Sequence, residues 1–343
     1  MARFKNIANH ETEAAREIGP TVDIEEAEAA LIEEAEAEEE SGLDDSLSEL
    51  VPTLEDVLAD TRSMNILSKE AFLSYYNLIE PPFSVTGTDQ RFVYLSESYR
   101  KILSSCIATV VDKMGLGVIY GQVGSGKSTL ARLLTSRFEG NDEYLVAYID
   151  DPGVAPSVLL RNIMHEFRID VPARQLEALK GYFKGFIYEQ ATLRDRTIVL
   201  IIDEAQKLDR HTMELLRVLL NYEDGRDKLL QIILFGQSEL KNKVDKRPNF
   251  RNRIVTGMSV EPMSIVEMVR LIRHRLRVAG RETPVFEEDA IALLAEVSQG
   301  LPRSACAVGW WTLRLGCEHD EKLISSRTVQ EAARRALRLT SED

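Results

Sequence analysis

The chain has 343 residues, of which 44% are hydrophobic, so it can bury the core of one large domain or two modest ones. Its formal net charge of −14 is localised, because residues 1–62 carry 19 acidic and 4 basic side chains whereas the remaining residues carry 37 and 38. No run approaches about 18 consecutive apolar residues and the N-terminus has no apolar signal core, which argues against membrane-spanning and secreted classes and predicts a cytoplasmic protein without membrane contact.

Residues 1–62 form an acidic N-terminal segment that includes the run Glu38–Glu40. Like charges at this density repel one another, so we expect a tail that is disordered or transiently helical. Alanine and glutamate favour helix, and Leu31 and Ile32 offer an apolar contact to a partner. The alternative is an autoinhibitory or partner-binding arm that mimics the charge of nucleic acid.

The next segment is predicted to form the first part of a nucleotide-binding domain. Tyr75–Phe83 is typical of a helix end followed by an extended turn, since it contains two consecutive prolines. Ser98 to Lys113 has apolar residues at helical spacing, which predicts a helix packed on a sheet.

The segment from Gly121 to Ser128 fits the phosphate-loop pattern G-x-x-x-x-G-K-[ST], with a strand-like run before it and a helical pattern after it. Glycines let such a loop turn its backbone N–H groups toward a polyphosphate, and the helix N-terminus adds partial positive charge. Lys127 is expected to reach the β- and γ-phosphates, and the Ser128 hydroxyl to complete a Mg²⁺ shell. The sequence therefore predicts that the chain binds a nucleoside triphosphate. The predicted contacts are Gly121, Gln122, Val123, Gly124, Ser125, Gly126, Lys127, Ser128 and Thr129.

A second acidic feature follows the continuous apolar run Ile198–Ile202, which is typical of a strand buried on both faces. Asp203 and Glu204 come directly after this run, where open α/β sheets bind ligands. We expect Asp203 to bind the Mg²⁺ through water and Glu204 to orient and deprotonate the attacking water.

From residue 116 onward, strand-like and helical patterns alternate, which predicts βαβ units and a parallel sheet. The predicted strands are Leu116–Tyr120, Leu145–Ile149, Ile198–Ile202, Gln231–Phe235 and Ile254–Val260. The predicted helices between them lie at about 128–138, 156–168, 173–193 and 211–222.

After Pro262 only helical periodicity remains, which predicts a small helical bundle with Gly280 and Gly316 near helix ends. The predicted domains are an acidic tail at residues 1–62, an α/β nucleotide-binding domain at residues 63–262 and a helical domain at residues 263–343.

The phosphate loop, the acidic strand end and the helical C-terminal part together resemble the AAA+ ATPases. Within them, the chain is most similar to the ExeA-like branch, which includes ATPases of secretion pathways and of transposition systems. The matching motifs lie at residues 75–83, 122–128, 202–206, 216–224, 229–240, 252–254 and 300–303. The resemblance implies an α/β fold, with a P-loop NTPase parallel sheet of AAA+ type followed by a small all-α lid domain. It also implies ATP and Mg²⁺ as cofactors, and a homo-oligomer that is a ring or a filament.

Further roles are implied by position in that family. Gln237 corresponds to the polar sensor that contacts the γ-phosphate and water. Arg253 corresponds to an arginine finger that reaches a neighbouring subunit's nucleotide, and Arg251 is the alternative candidate for this role. Arg303 matches a second sensor on a lid helix. For each arginine, the alternative to these roles is a surface or salt-bridged residue.

The stretch Lys241–Arg281 is basic, with 11 Lys/Arg and 3 acidic residues. Arg270, Arg273 and Arg277 share one helix face, because they lie at i, i+3 and i+7. Such a face could neutralise duplex DNA phosphates, or it could be a subunit contact or a solvated surface.

Two main functions are consistent with these features. In the first, the chain assembles with ATP on duplex DNA and hands it to a transposase or nuclease-type partner. In the second, it drives assembly of a secretion or envelope complex. Secretion relatives typically continue into a membrane segment, and the end of the chain at Asp343 favours the first function. A third possibility is a nucleotide-gated scaffold in a mobile-element or phage-defence system.

Overall fold

A computed structural model of the chain describes residues 69–84 and 89–337. The predicted acidic tail at residues 1–62 lies outside these described residues. In the described part, five strands form one parallel sheet with the order β2-β3-β4-β1-β5. The strands are β1 (Leu116–Gly121), β2 (Tyr144–Ile149), β3 (Thr197–Ile202), β4 (Leu230–Gly236) and β5 (Ile254–Val260).

Helices flank the sheet and continue beyond it. Those that precede the C-terminal helical region in the chain are α1 (Lys69–Tyr75), α2 (Glu97–Val111), α3 (Lys127–Phe138), α4 (Pro156–Glu166), α5 (Leu176–Tyr188), α6 (Arg210–Leu219), α7 (Ser238–Asp245) and α8 (Pro248–Arg251). The C-terminal helices are α9 (Ile265–Val278), α10 (Glu288–Val297), α11 (Pro302–Glu318) and α12 (Ser326–Leu337). Within the described ranges, every helix is too short or too polar to cross a bilayer.

The central strands β1, β3 and β4 are buried on both faces, and their alternate residues enter different cores. Ile198 and Leu200 pack into one hydrophobic core, together with α4, α5 and α6. Val199 and Ile201 pack into the other core, which contains residues of α2 and α3. This second core extends into the C-terminal helices through residues such as Leu294, so the helical region packs as a continuation of one sheet face.

The parallel sheet and the helical C-terminal region confirm the predicted fold class, and all five strands match their predicted ranges within one residue at each end. Local capping explains several helix starts. Ser264, for example, forms a capping box with Glu267 at the start of α9. Gly280 follows α9 with a φ of 89°, as its predicted place near a helix end requires. The domain limits at residues 62 and 262 stay predictions.

Gly316 lies in the last turn of α11, two residues before its end, as predicted. A Cβ there would lie 2.3 Å from the Tyr76 hydroxyl oxygen, so only glycine permits this close approach. Two details differ from the sequence expectations. The helix expected at 173–193 is in fact α5 followed by a π-helical turn at Glu189–Leu193. The short helices α7 and α8 were not predicted, since each is too brief to show helical periodicity.

Candidate functional site

The predicted phosphate loop connects the end of β1 to the start of α3. Gly124 and Gly126 adopt positive φ angles of 79° and 87°, which favour glycine. The hydroxyl of Tyr99 donates a hydrogen bond to the carbonyl of Ser125 at 2.5 Å and fixes the inner side of the loop. Because the first N–H groups of α3 have no acceptor within the helix, they are available to an anion.

Lys127 is the first residue of α3, and its side chain turns back over the loop. Its Nζ donates to the carbonyl of Gln122 at 2.5 Å and lies 3.5 Å from the Ser125 hydroxyl oxygen. Burial lowers the pKa of Lys127 below its ordinary value, although the charges of Asp203 and Glu204 oppose that shift. Lys127 is therefore a desolvated ammonium group, for which an incoming phosphate would be a stronger partner than a carbonyl.

The two carboxylates that follow β3 have different surroundings. Asp203 is buried, and it accepts hydrogen bonds from the Glu204 N–H at 2.8 Å and from the Tyr148 hydroxyl at 3.3 Å. Burial and the charge of Asp203 raise the pKa of Tyr148 to about 12, so its hydroxyl remains a donor. Glu204 is half-buried, has a left-handed φ of 49°, and accepts a 2.6 Å hydrogen bond from the amide of Gln206.

A cavity of about 300 Å³ brings most of these groups together. Its size lies at the lower end of the range of small-molecule sites. Of the residues predicted from the sequence, its lining includes Val123, Gly124, Gly126, Lys127, Ser128, Thr129, Glu204, Gln237 and Arg303. Gly121, Gln122, Ser125 and Asp203 belong to the surrounding loop and strand ends without lining the cavity.

Arg303 connects the helical region to the phosphate loop. It is the second residue of α11, and its backbone N–H donates to the Gly124 carbonyl at 3.3 Å. A Cβ on Gly124 would lie 3.2 Å from the Arg303 Cβ, so the helix start and the loop are in close contact. A displacement of the C-terminal helices would therefore change the phosphate loop directly.

Arg253 lies away from this cavity, just before β5. Ile254 is paired with Leu116 at the start of β1, whereas Gly121 at the end of β1 is paired with Val260. A strand of this length spans roughly 20 Å, so Arg253 lies at the opposite end of the sheet from its own phosphate loop. Its Nε is buried and has no hydrogen-bond partner among the described residues, whereas Arg251 is exposed.

Of the cavity-lining residues that were not identified as site residues from the sequence, two are arginines. Arg132 lies one helical turn after Ser128 on α3, and this i, i+4 spacing could have revealed it. Arg275 of α9 lies near the phosphate loop only because the C-terminal helices fold back, and its guanidinium donates to the Pro82 carbonyl at 3.0 Å. No local sequence signal could have found Arg275.

The basic stretch 241–281 is divided between internal and surface roles. Lys243 donates to the carbonyls of Gln206 and Leu208, and Arg247 donates to the Lys243 carbonyl at 2.7 Å. The predicted face of α9, by contrast, is exposed at Arg270, Arg273 and Arg277. Arg273 forms an ion pair with Glu288. Arg270 and Arg277 have no ion pair among the described residues.

The oxygen donors near the loop fit a magnesium–nucleotide complex. Ser128 is exposed and lines the cavity, and the buried carboxylate of Asp203 is close enough to Lys127 to act on its charge. The described residues contain no cluster of three His, Cys, Asp or Glu side chains that could bind a metal without other ligands. This donor set suits Mg²⁺, which usually keeps several waters and takes phosphate oxygens as ligands.

Comparison with known proteins gives consistent results for fold and family. A family model described as an AAA domain (AAA_22) matches residues 111–244. General secretion pathway protein A of Aeromonas hydrophila is 32% identical over 236 residues, which are 68% of this chain and 42% of that protein. The chain thus spans less than half the length of this relative.

Solved structures share the fold at low identity. The Aeropyrum pernix ORC2 protein, solved as ADPNP–ADP complexes, aligns with a TM-score of 0.56 at 18% identity and covers 74% of this chain and 70% of its own. Drosophila ORC bound to DNA aligns with a TM-score of 0.56 at 17% identity, over 77% of this chain and 65% of its own. These structures are similar in fold alone, whereas the family model and the secretion relative also share sequence with the chain. The chain belongs to the AAA+ ATPases and, within them, to the ExeA-like branch.

Proposed function

We propose that the chain binds and hydrolyses ATP with Mg²⁺ at a site completed by a neighbouring copy, and that it assembles on duplex DNA to regulate or recruit a DNA-processing partner such as a transposase. The observation that carries the ATPase part is the single cavity that contains the phosphate loop, Glu204, Gln237 and Arg303. Cation, carboxylate and polar amide are the groups that phosphoryl transfer to water requires.

Each residue has a distinct role in this proposal. The N–H groups at the start of α3 and the Lys127 ammonium bind the phosphates, while Glu204 accepts a proton from the attacking water. Gln237 orients that water, and Arg303 contacts the γ-phosphate and reports its loss to the C-terminal helices. Mg²⁺, when bound through Ser128 and Asp203, neutralises phosphate charge.

The ATPase part is tested with two substitutions. Lys127→Ala should weaken ATP binding, because it removes the buried cation of the loop. Glu204→Gln should retain ATP binding but lower turnover by about 100-fold or more, the range expected for loss of a general base. Nucleotide titration and phosphate release measure the two effects separately. Normal turnover in the Glu204→Gln protein would remove Glu204 as the base.

The DNA part rests on charge. Arg270 and Arg277 present exposed guanidinium groups on one face of α9, and phosphate contacts of this kind are independent of sequence. The similar fold of Drosophila ORC bound to DNA adds only circumstantial support.

Charge reversal at Arg270 and Arg277 should weaken binding to any duplex and reduce the slope of log affinity against log salt by about 2, since about one unit is lost per phosphate contact. Arg161→Glu, at an exposed position of α4, is the control and should leave the slope unchanged. The measurement is a DNA titration with a non-hydrolysable ATP analogue over a salt series. If no duplex binds at low salt with the analogue present, the DNA part of the proposal is wrong.

The second candidate is assembly of a secretion or envelope complex, and the relative named general secretion pathway protein A favours it. Under this proposal ATP turnover would be unaffected by DNA at any salt concentration. The same titration, followed by ATPase assays with and without duplex, therefore separates the two candidates.

A further inference from the structure

The side chain of Gln206 uses both ends of its amide group. Its Nε2 donates to the Oε2 of Glu204 at 2.6 Å, and its Oε1 accepts the backbone N–H of Gln237 at 2.9 Å. A carboxylate can only accept and a backbone N–H can only donate, so the chemistry of the partners fixes which end of the amide faces which group. Gln206 therefore bridges the carboxylate after β3 and the residue after β4.

The backbone around Gln206 makes this bridge possible. Glu204 adopts a left-handed φ of 49°, and a 3₁₀ turn follows at Ala205–Lys207. The turn brings the side chain of Gln206 back over that of Glu204. Gly236, at the end of β4, lies close enough that a Cβ there would be 3.1 Å from the Gln206 backbone nitrogen.

Helix α7 is hydrogen-bonded to the segment that contains Gln206. Gln237 is the residue that precedes α7, and Lys243 of α7 donates to the carbonyls of Gln206 and Leu208. Gln206 is thus connected to both ends of α7, and its amide is the direct link from this helix to the Glu204 carboxylate. A shift of α7 would move that carboxylate.

We propose that Gln206 is a positioning residue, which orients the Glu204 carboxylate toward the attacking water and makes that orientation depend on the position of α7. The inference rests on the proposed hydrolysis with Glu204 as base. Because the amide engages Oε2, it restricts the rotation of the carboxylate and presents Oε1 for proton transfer.

Two variants separate the parts of the bridge. Gln206→Met keeps the length of the side chain but removes both hydrogen bonds. Gln206→Glu keeps an acceptor for the Gln237 N–H, loses the donor to Glu204 and places a second carboxylate beside it. Both should lower kcat by about 10- to 100-fold, the range expected when a catalytic group is misplaced by about 1 Å. Their KM for ATP should stay within about threefold of the wild-type value.

Gln231→Met is the matched control. Gln231 of β4 also bridges two backbone groups, since its amide accepts from the Gly115 N–H at 2.7 Å and donates to the Lys228 carbonyl at 2.5 Å. These contacts lie at the opposite end of the sheet from the cavity. Gln231→Met should lower the thermal unfolding temperature while kcat stays near the wild-type value.

A double-mutant cycle distinguishes positioning from general stabilisation. If Gln206 acts through Glu204, adding Gln206→Met to Glu204→Gln should cause no further loss of single-turnover rate. Three results would each overturn this inference without affecting the proposed function. The first is a double variant that loses as much further rate as Gln206→Met loses by itself, and the second is a wild-type kcat in both Gln206 variants. The third is a loss of kcat in Gln231→Met as large as that in Gln206→Met. Absence of ATPase activity in the wild-type protein would overturn the proposed function, and this inference with it.

Discussion

Gly126 shows how the phosphate loop depends on a missing side chain. Its φ of 87° favours glycine, and a Cβ at this position would lie 2.0 Å from the hydroxyl oxygen of Tyr99. That hydroxyl is already committed to the carbonyl of Ser125, and burial raises the pKa of Tyr99, so it remains a donor. The loop shape is therefore set jointly by a glycine in the motif and by a tyrosine of α2.

Gly126→Ala should lower the free energy of unfolding by about 2–4 kcal/mol, because it combines left-handed strain with a clash. Gly140→Ala is the control, since Gly140 has a φ of 80° but open space where a Cβ would lie. That control should cost only about 1–2 kcal/mol. Urea unfolding of both variants measures the difference. Equal losses would mean that Tyr99 does not restrict the loop.

At the scale of elements, the connection between α11 and α12 is organised by one carboxylate. Glu321 accepts hydrogen bonds from the Ser325 N–H at 3.0 Å and the Thr328 hydroxyl at 2.9 Å, while its own carbonyl accepts from the Tyr76 hydroxyl at 3.1 Å. Burial by itself raises the pKa of Glu321, but the hydrogen bonds from Ser325 and Thr328 outweigh it and lower the pKa below its ordinary value. The ionised carboxylate thus caps the start of α12.

This arrangement predicts a pH-dependent loss of stability. A carboxyl group whose pKa is lower in the folded than in the unfolded state stabilises the fold at pH values above its unfolded-state pKa. That contribution is lost as the pH falls through the folded-state pKa. Glu321→Gln should therefore reduce the free energy of unfolding by about 1–2 kcal/mol at neutral pH, from weakened hydrogen bonds to the carboxylate.

The difference in the free energy of unfolding between the wild-type and Glu321→Gln proteins should become smaller as the pH falls below 4.5, the ordinary pKa of glutamate. Chemical denaturation at several pH values measures this change. Glu318→Gln is the control, since Glu318 is exposed at the end of α11, and its effect should be small at every pH. A gap for Glu321→Gln that does not change with pH would contradict the proposed cap.

At the scale of the whole molecule, the phosphate loop and Arg253 lie at opposite ends of the sheet. The phosphate loop follows the carboxyl end of β1, whereas Arg253 precedes the amino end of β5, and both strands are parallel neighbours. An arginine in this place cannot reach its own nucleotide. If Arg253 contributes to hydrolysis, it must do so in the site of another copy.

Mixing two inactive proteins tests this consequence. Arg253→Ala and Lys127→Ala should each be inactive alone, but an equal mixture should recover up to about a quarter of the wild-type ATPase rate, the fraction of complete interfaces in random head-to-tail assembly. Arg251→Ala in place of Arg253→Ala identifies which arginine acts. A mixture no more active than its separate components would exclude action between subunits.

The sequence by itself determined the features that depend on neighbouring residues along the chain. The phosphate loop from Gly121 to Ser128, the five strands and the acidic pair Asp203–Glu204 are continuous patterns, and backbone geometry makes such patterns fold in one way. Helix starts with local caps, such as Ser264 before α9, are determined in the same way.

Only the tertiary structure decided which distant residues meet. Arg275 lines the cavity because the C-terminal helices fold back on the sheet, and Lys243 is an internal donor rather than part of a basic surface. Position 316 requires glycine because Tyr76 packs against it, and Gln206 joins Glu204 to Gln237 because β3 and β4 are neighbours. These contacts join residues at least 31 positions apart or depend on a strand pairing, so local periodicity carries no information about them.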